Sequence, residues 1–130
     1  MQLSKTPKLI YEAPGSFEET RYEKLHNVIC QNSVEGSISI AHYIADLILE
    51  KQKNNEMCVL GLATGSSPIS VYRELVRLHQ EESLSFHNVI TFNLDEYFPV
   101  VKEDVQSYHY FMHTHLFKPI FIYLLKRKHR

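Results

Sequence analysis

Apolar positions along the chain change period several times, and each change marks an element. Residues 1–17 show no period, and Pro7, Pro14 and Gly15 punctuate them, which predicts an irregular arm. Over 18–30, Tyr22, Leu25, Val28 and Ile29 recur at helical spacing, with Glu18 and Glu19 in the first turn, where they complement the helix dipole. Asn32 and Ser33 then offer an N-cap for a second helix. Its apolar stripe is Ile38, Ala41, Ile44, Ala45, Ile48 and Leu49, and Lys51 and Lys53 sit at its negative end. The run 57–62, MCVLGL, is short and unbroken, as expected of a buried parallel strand. Ser67 can cap the next helix, and Pro68 suits a first turn that needs no N–H. Val71, Tyr72, Leu75, Val76 and His79 carry that third helix, and 89–94, VITFNL, predicts a second strand.

Strand, helix, strand over 57–94 predicts one βαβ unit, right-handed, with a parallel pair. Residues 95–106 are polar and mixed, and predict a loop. Ser107 can cap a last helix over 108–117, which Lys118 and Pro119 close. Residues 120–125 are apolar and 126–130 basic. That end fits a terminal strand with a solvated tip, or a chain stopping where a larger protein would continue. The fold class expected is α/β, a partial doubly wound (Rossmann-like) parallel sheet flanked by helices. The expected division is an irregular arm over 1–17, a domain over 18–119 and an atypical apolar-basic tail over 120–130.

Composition narrows the class. At 130 residues the chain is one domain's worth, and 44% apolar with 22% charged residues argues against disorder. The formal net charge of −1 leaves no basic footprint for nucleic acid. Cys30 and Cys58 are the only cysteines and form no CxxC pair, so neither a disulfide framework nor a zinc spacing is present. Two free thiols, no signal-type N-terminus and no apolar run of membrane length predict a cytoplasmic protein without a membrane partner.

Candidate chemistry falls at the carboxyl ends of the two strands, where open α/β sheets bind ligands. After the first strand comes Ala63-Thr64-Gly65-Ser66-Ser67. Gly65 permits positive φ and close backbone approach, the hydroxyls of Thr64, Ser66 and Ser67 can donate, and the following helix points its N-terminus at the loop. That suits an anion, although an ordinary helix-capping turn has the same composition. No Walker lysine follows, which argues against a nucleotide P-loop. After the second strand come Asp95 and Glu96, where partial desolvation would raise a carboxyl pKa toward general-base duty. A solvated loop pair would read the same way. His109 and His113 stand at i, i+4 without the glutamate of HExxH, so packing of an amphipathic helix is expected there and no metal. Tyr108, Phe111 and Met112 read as core or interface residues. Residues 126–130 are expected to be a solvated tail.

Taken together, LGLATGSSP with Tyr72 downstream, SFHNV over 85–89, TFNLDEY over 91–97 and SYH over 107–109 resemble the glucosamine-6-phosphate deaminases, also called isomerases. The resemblance runs from about residue 34 to 119, and residues 18–33 resemble the arm of longer bacterial members. It implies conversion of glucosamine 6-phosphate to fructose 6-phosphate and ammonia. In the family, the sugar ring opens, a carboxylate moves a proton between C2 and C1, and the amine leaves. By resemblance Asp95 is that base, with Glu96 beside it in the catalytic pair. Thr64, Gly65, Ser66 and Ser67 form the phosphate cradle. No cofactor is implied; the partner is a small amino-sugar phosphate, and a homo-oligomer is consistent with the full-length family. A 6-phosphogluconolactonase-like hydrolase is similar too, but usually has an arginine after its Asp-Glu pair, where Tyr97 stands here. Members are about twice this length, and their second half brings a ring-opening histidine with acidic neighbours and further basic phosphate ligands. Residues 120–130 do not resemble that continuation, so a truncated domain is expected. Arg73 and Arg77 point away along their helix. A fragment that binds a sugar phosphate without turnover, or pairs with a full-length subunit, is the alternative.

Overall fold

Asn32 starts the first long helix. The structure, a computed structural model, describes residues 11–12 and 28–120. Within these, Asn32 is extended, and its side-chain oxygen accepts the Glu35 N–H at 2.9 Å, which caps helix α1, Ser33–Lys53. Ala41, Ala45 and Ile48 on its predicted stripe are buried. The strands before it are short. Strand β1, Tyr11–Glu12, pairs antiparallel with β2, Val28–Ile29. Val28 and Ile29 are therefore extended and exposed, not the end of a helix over 18–30. Helical spacing alone overstated that segment, because β-branched residues suit a paired strand equally well. Tyr11–Glu12 is likewise a paired strand within the arm expected to be irregular; the rest of the arm and of that segment, and the tail beyond 120, lie outside the described residues.

Strand β3, Cys58–Leu62, runs parallel to β4, Val89–Asn93, and helix α2, Ile69–Glu82, connects them. This is the predicted βαβ unit. The register pairs Cys58 with Val89 and Leu62 with Asn93, so both strands end level. Asn88, 5% exposed, locks the other end. Its carbonyl accepts the Cys58 N–H at 2.8 Å and its side-chain amide donates to the carbonyls of Ile48 and Glu56.

One expectation for β3 fails. An unbroken apolar run predicts burial on both faces, yet burial alternates: Cys58 and Leu62 are buried, while Val59 is 59% exposed. The reason is cover. Ala41, Ala45 and Ile48 of α1, Val71, Leu75 and Leu78 of α2, and Met112 and Leu116 of the last helix form one core cluster with Cys58 and Leu62. The opposite face presents Val59, Ile90, Phe92 and Leu94 to solvent. The second helical layer of a doubly wound sheet is not among the described residues.

The last helix also departs from expectation. Ser107 caps it as predicted, accepting the Tyr110 N–H at 2.9 Å while its hydroxyl donates to the Lys102 carbonyl. Helix α3, Tyr108–Met112, then widens into a π-helical turn, His113–Phe117, and the chain stays helical through Pro119 to residue 120. Pro119 does not close it. A proline lacks the N–H and crowds the carbonyl four residues back, and a π turn just before it relaxes that crowding.

Candidate active site

The two strand ends deliver the two loops side by side. Beyond the Leu62–Asn93 pair, the Leu94 N–H still bonds the Leu62 carbonyl at 3.2 Å. Thr64 and Asp95 each follow two residues after that pair.

The first loop opens on an exposed Gly65 at φ +105°, a conformation that favours glycine. Ser66 and Ser67 are exposed and Thr64 is half-buried. Helix α2 starts just beyond, with Pro68 in the N-cap position and no side-chain cap. Ser67 therefore does not cap it as expected, because Pro68, with φ −78° and ψ −8°, already occupies that position. The uncapped end suits an anion, since first-turn N–H groups have no intrahelical acceptor. Two anchors hold the loop from behind. The buried Tyr72 hydroxyl donates to the Ala63 carbonyl at 2.5 Å, and Ser70 and Ser37 share a 2.7 Å hydroxyl bond that ties α2 to α1. Burial pushes the Tyr72 phenol up.

In the second loop Asp95 is exposed, so the partial desolvation expected of it is absent. Glu96 is bonded differently. Its carboxylate accepts N–H groups from Tyr97 at 3.0 Å, Tyr108 at 2.9 Å and His109 at 3.1 Å. These bonds, that of Tyr108 foremost, hold its carboxyl below the usual carboxylate range. The carboxylate thus staples the loop to the start of α3, a place its negative charge favours. Of the sequence pair, Asp95 alone is left facing outward with no bond of this kind.

Tyr108 is the residue sequence reasoning missed. It reads there as a core or interface residue; Met112 is fully buried, and Tyr108 is half-buried. Its ring packs against Tyr97 at 4.8 Å between centroids. The neighbouring Tyr97 hydroxyl pushes its phenol up. The SYH motif contained the residue; spacing along a helix could not show its ring packing on Tyr97, eleven positions earlier.

Other candidates stay outside. Arg77 is held by Glu74 at 2.6 Å, Glu82 at 2.9 Å and Glu81 at 3.0 Å, so it offers no phosphate clamp. His109 and His113 stack with centroids 4.9 Å apart. Among the described residues no group of three or more His, Cys, Asp or Glu side chains could hold a metal ion. An apolar groove of about 490 Å³ runs between β4, α2 and the π turn, lined by Leu60, Leu75, Phe86, Leu116 and Phe117, away from both loops. No described helix is long and apolar enough to cross a membrane.

Comparison with known proteins supports the motif reading. No protein-family model matches the chain. A glucosamine-6-phosphate deaminase of Bacillus velezensis is 53% identical over 95 residues, covering 72% of this chain and 38% of that protein. Glucosamine-6-phosphate deaminase 2 of Giardia intestinalis is 49% identical over 90 residues, covering 69% and 33%. A solved monomeric glucosamine-6-phosphate deaminase superposes with a TM-score of 0.65 at 47% identity, over 70% of this chain and 36% of that one. The match thus spans about a third of these relatives' length. By sequence and by fold, the chain is similar to a part of the glucosamine-6-phosphate deaminases.

Proposed function

We propose that this chain carries the phosphate cradle and the enolisation base of a glucosamine-6-phosphate deaminase. The observation behind the reading is the parallel register. It sets a glycine-turned, hydroxyl-bearing loop at the N-terminus of α2 beside a strand end carrying an outward-facing aspartate. Thr64, Gly65, Ser66 and Ser67 would surround the phosphate with N–H and hydroxyl donors. Asp95 would then take a proton from C2 of the opened sugar and return it at C1. Glu96, bonded to three backbone N–H groups, is suited to holding Asp95's loop and poorly suited to proton transfer. Tyr97 after the acidic pair argues against a lactonase-like hydrolase. Two unpaired thiols, Cys30 and Cys58, fit a cytoplasmic setting.

The exposed first loop at the uncapped start of α2 supports a second reading by itself, anion binding without turnover. Ammonia release from glucosamine 6-phosphate, assayed beside phosphate binding, separates the two. Turnover that Asp95→Asn abolishes supports the deaminase. Binding at residues 64–67 without ammonia supports the binder, and neither signal rejects both.

A further inference from the structure

We infer that Ser37, in the second turn of α1, is a positioning residue for the anion loop. By accepting the Ser70 hydroxyl it holds the uncapped start of α2 against α1 and keeps that hydroxyl off the loop. Its consequence for an anion rests on the cradle proposed above; the contact does not.

Counting protons fixes the direction of each bond. The Ser37 hydroxyl lies 2.8 Å from the Ser33 carbonyl, which can only accept, so its one proton goes there. In its 2.7 Å contact with Ser70 it therefore accepts, and Ser70 donates. The Ser70 hydroxyl also stands 3.5 Å from the carbonyl of Ser67, the last residue of the loop. It thus has one proton and two acceptors, the nearer on α1 and the farther on the loop. Distance decides between them, since 2.7 Å is close to the best hydroxyl separation and 3.5 Å is marginal. Without the Ser37 oxygen, the Ser70 hydroxyl is left with the Ser67 carbonyl, a bond to a backbone oxygen three residues back that serine makes readily. That bond draws the end of the loop onto the helix.

Packing explains why the two hydroxyls meet. Ser37, Ala41 and Ala45 recur every four residues on the buried side of α1, and small side chains let α2 approach closely. One turn further along, His42 Nε2 stands 3.6 Å from the Glu74 carboxylate. The two contacts advance together, so α1 and α2 run parallel and their N-termini share the end of the sheet where the loops stand. At α1 the Asn32 side chain closes that end; at α2 no side chain caps it. Ser37 holds α2 from the neighbouring helix and leaves the first-turn N–H groups open. At 8% exposure it meets little competition from water.

The test uses the full chain, isotope-labelled for amide spectra, with inorganic phosphate as the probe. The variants are Ser37→Ala, Ser70→Ala and the two combined; alanine is a good helix former, so α1 and α2 persist in all three. Phosphate should titrate the amides of residues 64–67 in the parent chain. Ser37→Ala should weaken that binding by about 2–10-fold, the worth of one hydrogen bond. Ser70→Ala, which removes the hydroxyl that would turn, should cost less, and in its background Ser37→Ala should add almost nothing. A Ser37→Ala chain that loses stability to urea but binds phosphate like the parent overturns the inference, because the pair then serves packing alone. So does a Ser37→Ala loss that is the same with Ser70 present or absent, or a Ser70→Ala loss as large as that of Ser37→Ala. A parent chain with no response at 64–67 rejects the cradle instead, and the ligand-free spectra then decide the contact. There Ser37→Ala should shift the amides of residues 66–70 when Ser70 is present and leave them in place when it is alanine. Amides that stay unmoved in both backgrounds, or move equally in both, overturn the contact whatever binds.

Discussion

The two loops at the carboxyl end of the sheet are built by opposite means. The loop after β3 is held only from behind, through Tyr72 and the Ser37–Ser70 pair, and its exposed tip keeps its hydroxyls and the first N–H groups of α2 facing outward. The loop after β4 is held from within, by a carboxylate that takes three N–H groups at once. The difference follows from what each would have to do. A cradle binds with its own backbone donors, so it cannot satisfy them internally. A base must return to one position, so its loop tolerates a rigid staple, and the acidic residue next to the base supplies it. Two adjacent carboxylates thus stand differently, one outward toward solvent and one inward toward the protein.

The largest effect that could break this division is on turnover. Asp95→Asn removes the only outward carboxylate of the pair and should lower ammonia release by about 10²–10⁴-fold, the usual contribution of a positioned base. Stability should hardly change, because Asp95 is exposed and makes no bond of the kind Glu96 makes. If the asparagine variant keeps parental turnover while Glu96→Gln loses it, the two tasks are assigned the wrong way round.

Next in size is the turn of the first loop. A Cβ added at Gly65 meets nothing within 4 Å, so any cost of Gly65→Ala comes from the backbone at φ +105° and not from a clash. Forcing an L side chain into that region costs about 1–2 kcal/mol, measurable by urea unfolding. Phosphate affinity should fall with it if the loop relaxes to a negative φ. A variant as stable as the parent, with unchanged phosphate affinity, would show that the glycine conformation is not needed.

Much of this was legible in the sequence, and the reason is locality. Asn32 and Ser107 cap the helices they precede, and the strand–helix–strand order with level strand ends follows from the apolar pattern. The errors are non-local. MCVLGL reads as buried on both faces because its residues are apolar, but whether a face is covered depends on elements elsewhere, and Val59 and Phe92 face solvent. Pro119 reads as a stop because helix rules assume α geometry, and a π turn evades them. The Asp95–Glu96 pair was visible as a pair. Its division of labour was not, since it depends on backbone N–H groups twelve and thirteen positions further on.

A smaller effect probes the anchor behind the first loop. Tyr72 is 4% exposed, and Tyr72→Phe keeps its ring in the core while leaving the Ala63 carbonyl without that donor. The expected loss is about 0.5–1.5 kcal/mol by urea unfolding, with weaker phosphate binding. If stability falls but phosphate binding does not, the bond serves the core alone, and the first loop does not need holding from behind.

The smallest effect concerns the staple and is best read against pH. The Glu96 carboxyl lies below its ordinary value of 4.5, chiefly because it accepts the Tyr108 N–H, with His109 and Tyr97 adding to the effect. A carboxyl depressed on folding contributes stability that is fully present above its unfolded value and is lost as pH falls through the folded one. The parent chain should therefore show a step of falling Tm on acidification below 4.5 that Glu96→Gln lacks, with the parent the more stable at neutral pH. The glutamine can still accept one or two of the N–H groups, so the neutral-pH gap should be small and the loop should keep its shape. The comparison between loops sharpens if that gap closes on acidification while Thr64→Val, which leaves the staple intact, shows the parental pH profile. A gap between parent and Glu96→Gln that is the same at every pH would mean the charge on Glu96 does not hold the second loop, and that packing of Tyr97 on Tyr108 holds it instead.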